Sequence, residues 1–380
     1  MTPKDRVACA FEFRPYDRVP IYQAGFSSAV ASQILGRPAY VGGGHAQYLE
    51  SVALWEGEQA HQEYLDRSWQ DAVELNRKLE LDVVRTVYWR MTQKPTERLD
   101  EVTFRFGDET NWRVMRYDPA TELYQIVDQT PQRELTLEDL ERTVNNLEAS
   151  VESYQPGPAM YETLTRTIDE FGDQGVPYGG GGVGLVVPRD RVWLEAVALR
   201  PDLVRRYLDA QAEKSARNAT LAGSLGLRYL YGGGDFASKK GPFISPKSFR
   251  ELQLPGMQRI SQACHAAGAL HGFASDGDLW PLADDLFGNS GVNFFYEVDC
   301  ASGMDFHRLR QTFPQLTLLG GVNSATLHTG SVTEVVAETR RALSAGREYG
   351  GCIVGCSNQI VKGTPMGNFW AMMETLHSEG

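Results

Sequence analysis

Three acidic side chains stand at or near the ends of apolar segments, where a carboxyl group is well placed to do chemistry. Asp235 follows the segment LRYLYGG, Asp276 follows ALHGFAS, and Glu297 lies near the end of VNFFYEV. Carboxyl groups serve as general acids or bases and bind metal ions. We therefore take these three residues as the candidate catalytic groups. A simpler interpretation of Asp276, which precedes Gly277, is that it caps the helix that follows.

Other polar and aromatic side chains near the ends of similar segments could line a substrate pocket. The candidates are Gln23, Tyr88, Trp89, Tyr178, His271, Asn323 and Asn358. Thiolate and imidazole are ligands that zinc prefers, so Cys356 and His271 are also candidate metal ligands. His271 lies within an apolar segment, where a hydrogen-bonded core histidine is the simpler interpretation.

The segments that must position these residues alternate with helical patterns. Eight segments are predicted as β-strands: residues 18–25, 81–89, 176–184, 227–233, 269–275, 292–298, 316–322 and 351–355. The third pattern is the weakest, because it contains four consecutive glycines. Alternating strands and helices favour an α/β fold with a parallel sheet. Eight such units predict a single (β/α)8 TIM barrel over residues 1–380, with its active site at the C-terminal ends of the strands.

Capping residues mark two of the helices between these strands. Ser245 precedes Pro246, which is the order expected for an N-cap and a first helical position. Ser331 and Glu334 have the spacing of a capping box. Residues 201–223 form a third amphipathic pattern. These signals support helices as the connections of the predicted barrel.

One region does not follow the alternation of strand and helix. Residues 102–127 alternate apolar and polar side chains and contain the turn signals GDE and DPAT. A period of two is typical of antiparallel strands with one solvated face. We predict a β flap insertion of about three strands after strand 2, near the barrel mouth.

Composition and charge narrow the classes of function. The formal net charge is −12, whereas a nucleic-acid-binding protein normally presents a basic face. No apolar run approaches 18 residues, and the N-terminus lacks the apolar stretch of a secretory signal. The five cysteines include no CxxC pair. We therefore expect a reduced, cytoplasmic protein that binds neither nucleic acid nor membrane.

Over roughly residues 200–372, four segments together resemble the uroporphyrinogen decarboxylase (URO-D) superfamily. They are YGGGDFASKKGPFISPKSFRELQLPGMQRI, FASDGDLWPLADDLFGNSGVNFFYEVDCASGMD, LTLLGGVNSATLHTGSVTEVV and GCIVGCSNQIVKGTPMGNFWAMME. The resemblance implies a (β/α)8 barrel, in agreement with the count of strands. It also implies one of two activities: decarboxylation of uroporphyrinogen without a cofactor, or methyl transfer involving a corrinoid protein, usually with zinc.

The sequence departs from the motifs of both activities. The decarboxylase has an RQAGR-type motif that grips substrate carboxylates, and here Tyr22 and Phe26 replace its arginines. It also has an aspartate at the end of strand 2, whereas Asp82 is at the start of that strand. The thiol methyltransferases have a His-x-Cys pair that aligns here with Ala274 and Asp276. The last cysteine of their zinc site could correspond to Cys356, so a standard zinc site is incomplete.

The resemblance and its departures favour the methyltransferase-like branch. We expect an enzyme that transfers a methyl group from a small methoxylated or methylated substrate within a corrinoid-dependent system. Its partners would be the small molecule and a corrinoid protein that carries the corrinoid, with no cofactor bound covalently and zinc a candidate. The alternatives are a URO-D-type decarboxylase acting on a different substrate and a barrel that binds a tetrapyrrole or corrinoid. The oligomeric state stays open, a homodimer included.

Overall fold

The structure, a computed structural model, describes residues 1–380 and is built around parallel β-strands. Five of these strands form one continuous sheet in chain order: Tyr229–Gly233, Leu270–Ala274, Phe294–Val298, Thr317–Val322 and Cys352–Cys356. All four pairings within this sheet are parallel. The α/β class and these five predicted strands are confirmed.

The first three predicted strands are much shorter than the sequence suggests. Val83–Val84 pairs in parallel with Val176–Pro177, and residues 18–25 take part through isolated bridges from Ile21 to Val354 and from Tyr22 to Val83. A further parallel bridge joins Gly180 to Tyr231. Pro177 lacks an amide hydrogen, and glycines weaken a strand, so long ladders cannot form there. Together, the pairings and bridges link each of the eight segments to the next along the chain and link the eighth back to the first. We call these eight linked segments the strand ring.

Helices connect these strands and cover the outside of the sheet. The α-helices are Pro3–Phe11, Ser28–Leu35, Gly44–Glu56, Glu58–Lys78, Leu137–Glu152, Glu162–Phe171, Arg191–Leu199, Pro201–Ser224, Pro246–Ser248, Leu254–Ala266, Phe306–Thr312, Ser324–Thr329, Val332–Tyr349 and Met366–Glu379. The Ser245 side chain caps one helix, and Ser331 and Glu334 form the predicted capping box of another. None of the helices combines the length and apolar character needed to cross a bilayer.

The predicted flap is a separate antiparallel sheet of four strands. They are Glu97–Arg98, Thr103–Gly107, Trp112–Asp118 and Leu123–Gln129. The turn between the last two reaches the helix Ser28–Leu35, which follows the first parallel segment, and the loop after the eighth. There Glu122 accepts a hydrogen bond from the amide of Ala29 at 3.2 Å, and the Lys362 ammonium group donates to the Pro119 carbonyl.

Side chains alternate between two faces of each strand, and this alternation decides which of them point to the interior of the strand ring. A cluster of buried residues fills that interior: Val7, Ala10, Tyr22, Ala24, Val83, Val176, Tyr178, Ala274, Phe294, Tyr296, Leu319 and Ile353. Val7 and Ala10 belong to the N-terminal helix Pro3–Phe11, which packs against the same cluster. Residues of the opposite parity face the helices and belong to the larger outer core.

Candidate active site

Glu297 occupies a strained backbone position at the end of its strand. Its φ is +61°, which is rare for a residue with a side chain and costs about 1–3 kcal/mol. The pairing register of its strand shifts between Tyr296 and Val298, and this irregularity allows the unusual conformation. Strain of this kind is concentrated at functional sites because the surrounding structure must hold it in place.

Burial is the main cause that raises the pKa of Glu297 to about 7. The negative charge of Asp276 raises this pKa further, whereas the positive charge of Arg85 lowers it. A carboxyl group with a pKa near 7 exists in both protonation states at neutral pH, as a general acid or base requires. Glu297 therefore has the electrostatic environment of a proton donor.

Asp276 and Asp235 lie together beside Glu297. The Asp276 amide donates to the Asp235 carboxylate at 3.1 Å, and the Asn358 side-chain amide donates to the Asp276 carboxylate at 3.4 Å. Burial raises the pKa of Asp276, and the charges of Asp235 and Asp299 raise it further. Asp235 also forms an ion pair with Arg189 at 3.0 Å. The structure thus brings the three predicted catalytic carboxyl groups and Asn358 together.

The polar turn after the strand Leu270–Ala274 contains residues that hold the turn together and one residue that lies at the site. The Ser275 hydroxyl accepts from the Phe236 amide at 3.0 Å, and Asp278 accepts from the Trp280 amide at 3.0 Å. Gly277 has a φ of +94°, and a Cβ there would lie 2.7 Å from the backbone of Ala237. These contacts fix the turn, which leaves Asp276 as its member at the site.

Four tyrosines line the interior next to these acids. The Tyr178 ring lies 5.6 Å from the Tyr22 ring, 5.1 Å from the Tyr231 ring and 5.6 Å from the Tyr296 ring. Tyr22 is fully buried, and its hydroxyl has no hydrogen-bond partner in the protein. Of this group the sequence singled out only Tyr178 as a binding residue. Tyr231 lies two residues before the end of the strand Tyr229–Gly233, and Tyr296 directly precedes Glu297; these positions were a signal that could have extended the set.

Arg85 is a candidate functional residue that the sequence reasoning missed. Its Nε donates to the Val87 carbonyl at 3.2 Å, and its Nη1 donates to the Ala24 carbonyl. The guanidinium carbon lies 5.5 Å from the centre of the Tyr178 ring. The predicted second strand ran to residue 89, but the observed strand ends at Val84. Arg85 therefore follows a strand end, the kind of position from which the other candidates were chosen.

Two of the predicted site residues, Gln23 and His271, point away from this interior. Gln23 accepts from the Cys356 amide at 2.9 Å and donates to the sulfur of Met373 at 3.3 Å, so it serves the outer core. His271 is buried and lies 2.7 Å from the Ser261 hydroxyl, and burial lowers its pKa to about 4. Both have the outward parity of their strands, which is the physical reason that they do not reach the site.

Cys356 is also turned outward and is fully buried in the helix-facing core. Burial raises the pKa of its thiol to about 12, which disfavours the thiolate that a metal would need. No group of three or more His, Cys, Asp or Glu side chains has the arrangement of a metal site. The proposed ligand pair of Cys356 and His271 does not fit zinc.

Tyr88, Trp89 and Asn323 lie around the rim or farther out. Tyr88 and Trp89 border a cavity of about 180 Å³, and half of the Trp89 surface is exposed. Asn323 caps the helix Ser324–Thr329 and lines a separate surface groove. None of the five main cavities is lined by Asp235, Asp276 or Glu297.

Asp82, at the start of its strand, lies at the other end of the strand ring. It is fully buried and accepts hydrogen bonds from Arg18 and from the amide of Ile21, both at 2.7 Å, and from Arg6. These partners belong to the N-terminal segment. Asp82 therefore anchors that segment and takes no part in the site.

Comparisons with known proteins agree with the sequence resemblance. Residues 196–379 match the family model "Uroporphyrinogen decarboxylase (URO-D)". No curated protein matches the chain. Among solved structures, a methyltransferase from Methanosarcina mazei is similar over 100% of this chain and 99% of its own, with a TM-score of 0.57 and 16% identity. At this identity the likeness speaks for a shared fold. An IolI protein with a bound zinc atom gives a TM-score of only 0.26 at 11% identity, covering 58% of this chain and 80% of its own.

Proposed function

We propose, on the basis that residues 196–379 match the URO-D family model, that this chain is a methyltransferase of a corrinoid-dependent system. Its substrate would be a small methoxylated compound. The single observation that carries the proposal is Glu297, whose strained backbone and pKa of about 7 give the site a proton donor. The whole-length likeness to a methyltransferase structure supports the same fold for this chemistry.

Cleavage of a methyl ether needs a proton on the departing oxygen, because an alkoxide or phenoxide is a poor leaving group. The protonated Glu297 would donate its proton to that oxygen as the bond between the methyl carbon and oxygen breaks. The methyl group leaves to the acceptor, and the substrate becomes an alcohol or phenol. A reduced corrinoid, carried by a partner protein, would supply the nucleophile that takes up the methyl group.

The neighbours of Glu297 would tune this proton transfer. Asp276 raises the pKa of Glu297 through its charge, and Asp235 holds the backbone of Asp276 through a hydrogen bond of 3.1 Å. Tyr178, Tyr231 and Tyr296 would supply an apolar wall for the substrate. Because the available thiol and imidazole do not converge, no step of this mechanism uses zinc.

We also infer that the eight parallel segments act as one closed (β/α)8 barrel within a single domain. The cyclic order of the pairings and bridges supports closure, although three of the segments pair over only one or two residues. The likeness over the full length of both chains supports a single unit. The flap of residues 97–129 would then stand beside the barrel mouth.

A decarboxylase acting on a substrate other than uroporphyrinogen is the second candidate. Glu297 is compatible with it, because a protonated carboxyl group could also deliver a proton to the carbanion left after loss of carbon dioxide. The methyltransferase proposal has the additional support of the full-length structural likeness. A barrel that only binds a tetrapyrrole would have no need for the strained Glu297.

The test is methyl transfer from a panel of methoxybenzenes and methoxybenzoates to free reduced cobalamin or to a purified corrinoid protein. Cobalt methylation is followed by absorbance, and the demethylated product by mass spectrometry. Glu297→Gln should lower the rate by about 100-fold or more, the usual contribution of a general acid. Asp276→Ala should lower it less, and Cys356→Ala, outside the site, serves as the control. A Glu297→Gln rate equal to that of the wild type would overturn the proposal.

A further inference from the structure

Arg85 is a cation at the site that no protein carboxylate neutralises. Its two hydrogen bonds go to the carbonyl oxygens of Val87 and Ala24, which are neutral acceptors. The acidic group that acts on it electrostatically is Glu297, which lies beyond ion-pair distance and is itself only partly charged at neutral pH. The Nη2 group makes no hydrogen bond to the protein, and Nη1 uses only one of its two N–H groups, so three of the five donors of the guanidinium have no protein partner.

A partly buried guanidinium without a counter-ion is unfavourable, because the protein replaces the water around the charge without supplying an anion. Its neighbours are instead aromatic. The guanidinium carbon lies 4.8 Å from the Tyr88 ring centre, 5.4 Å from that of Trp89 and 5.5 Å from that of Tyr178. Such rings stabilise a cation by roughly 0.5–2 kcal/mol each, but they cannot use its free N–H groups.

Gly25 leaves the space beside the Arg85 guanidinium free of a side chain. A Cβ on Gly25 would lie 3.3 Å from Nη1 of Arg85 and 3.6 Å from the Tyr88 ring, so any side chain there would cover the guanidinium. The orphaned hydroxyl of Tyr22, across the Tyr178 ring, is a second polar group without a protein partner. An unpaired cation and an unpaired hydroxyl in one aromatic interior indicate a ligand with polar oxygen atoms.

We propose that Arg85 binds a carboxylate of the substrate, which makes the substrate class a small aromatic acid. A carboxylate matches the planar fork of a guanidinium and would supply the missing negative charge. The tyrosines and Trp89 would pack against its ring. The strand end that carries an aspartate in the decarboxylase pattern thus has the opposite charge here. The assignment of a methoxy group to this acid rests on the proposed function, whereas the carboxylate is inferred from Arg85 alone.

The test measures binding by isothermal titration calorimetry without any corrinoid. The probes are 4-methoxybenzoate and its neutral analogue 4-methoxybenzamide. The wild type should bind the acid at least 10-fold more tightly than the amide. Arg85→Gln should weaken binding of the acid by about 10- to 100-fold, as expected for loss of a charge-assisted contact. Arg85→Lys keeps the charge and should fall between the two.

Arg191→Gln is the matched control, because it removes an equal charge from an exposed ion pair with Glu195. This variant should bind both probes as the wild type does. Equal affinity of the wild type for acid and amide, no detectable binding of the acid, or unchanged binding by Arg85→Gln would each overturn the proposal. If Arg85→Gln does not fold, the comparison of the two probes on the wild type and on Arg85→Lys still decides. Binding without methyl transfer would refute the proposed function and leave the anion site standing.

Discussion

Replacing Glu297 by glutamine should stabilise the protein above pH 7 and have little effect at pH 5. Burial and the charge of Asp276 raise the pKa of Glu297 from 4.5 to about 7 in the folded protein. The folded state therefore holds this proton more tightly than the unfolded chain does. The resulting stability is fully present below pH 4.5 and is lost as the pH rises through 7. Glutamine has a similar shape and does not ionise, so it avoids this loss.

The magnitude follows from the two pKa values. At about 1.4 kcal/mol for each tenfold change in proton affinity, the raised pKa corresponds to about 3 kcal/mol. Solvent reaches part of this group, and we therefore expect about 2–3 kcal/mol. The strain of the positive φ is common to both side chains and cancels in the comparison.

The assay is urea unfolding of the wild type and Glu297→Gln at pH 5, 6, 7 and 8. The quantity of interest is the difference in the free energy of unfolding between the two proteins at each pH. It should grow in favour of the variant from pH 5 to pH 8. Glu251→Gln, at an exposed position, controls for the change in net charge. A difference that stays constant over this range would refute the reasoning on the environment of Glu297.

Cys356→Ala should keep its methyl-transfer activity. Native Cys356 should resist a thiol reagent at pH 8, because burial raises the pKa of this thiol to about 12. Loss of zinc together with loss of activity in the variant would contradict this. Gly277→Ala should lower the melting temperature by an amount equivalent to about 1–3 kcal/mol, because its φ is +94° and a Cβ would meet the backbone of Ala237 at 2.7 Å. A melting temperature equal to that of the wild type would show that the turn has another conformation. The purified protein should not convert uroporphyrinogen to coproporphyrinogen, since Tyr22 and Phe26 replace charged contacts of the decarboxylase pattern. Chromatography of the porphyrins after incubation checks this, and efficient conversion would reverse the choice between the two activities.

Five of the eight strands were predictable because each is a short apolar run bounded by turn residues. Leu270–Ala274 and Cys352–Cys356 differ from their predicted ranges by a single residue at each affected end. The second strand was predicted to end five residues too late, at residue 89 and not at Val84, because VYW looks as strand-like as VV in isolation. What ends that strand is its pairing with Val176–Pro177, which is a contact distant in sequence.

The candidate site was predictable where strand ends alone decided it. The three carboxyl groups of Asp235, Asp276 and Glu297 lie close together, because each residue follows or ends a long strand. Gln23 and His271 were misplaced because a strand end does not reveal which face a side chain takes, and that face depends on the register of pairing. The positive φ of Glu297 has the same origin, since it arises from a register shift relative to the next strand.

The pairing of the first parallel strand with the last has a consequence for synthesis on the ribosome. The amide of Cys356 donates to the side chain of Gln23, 333 residues earlier in the chain, and Ile21 pairs with Val354. Contacts so far apart in sequence form slowly and cannot form at all until the last strand has emerged. Until then two strand edges and the apolar interior remain open to other nascent chains. The chain should therefore be most prone to aggregation late in translation, before the last strand has paired with the first.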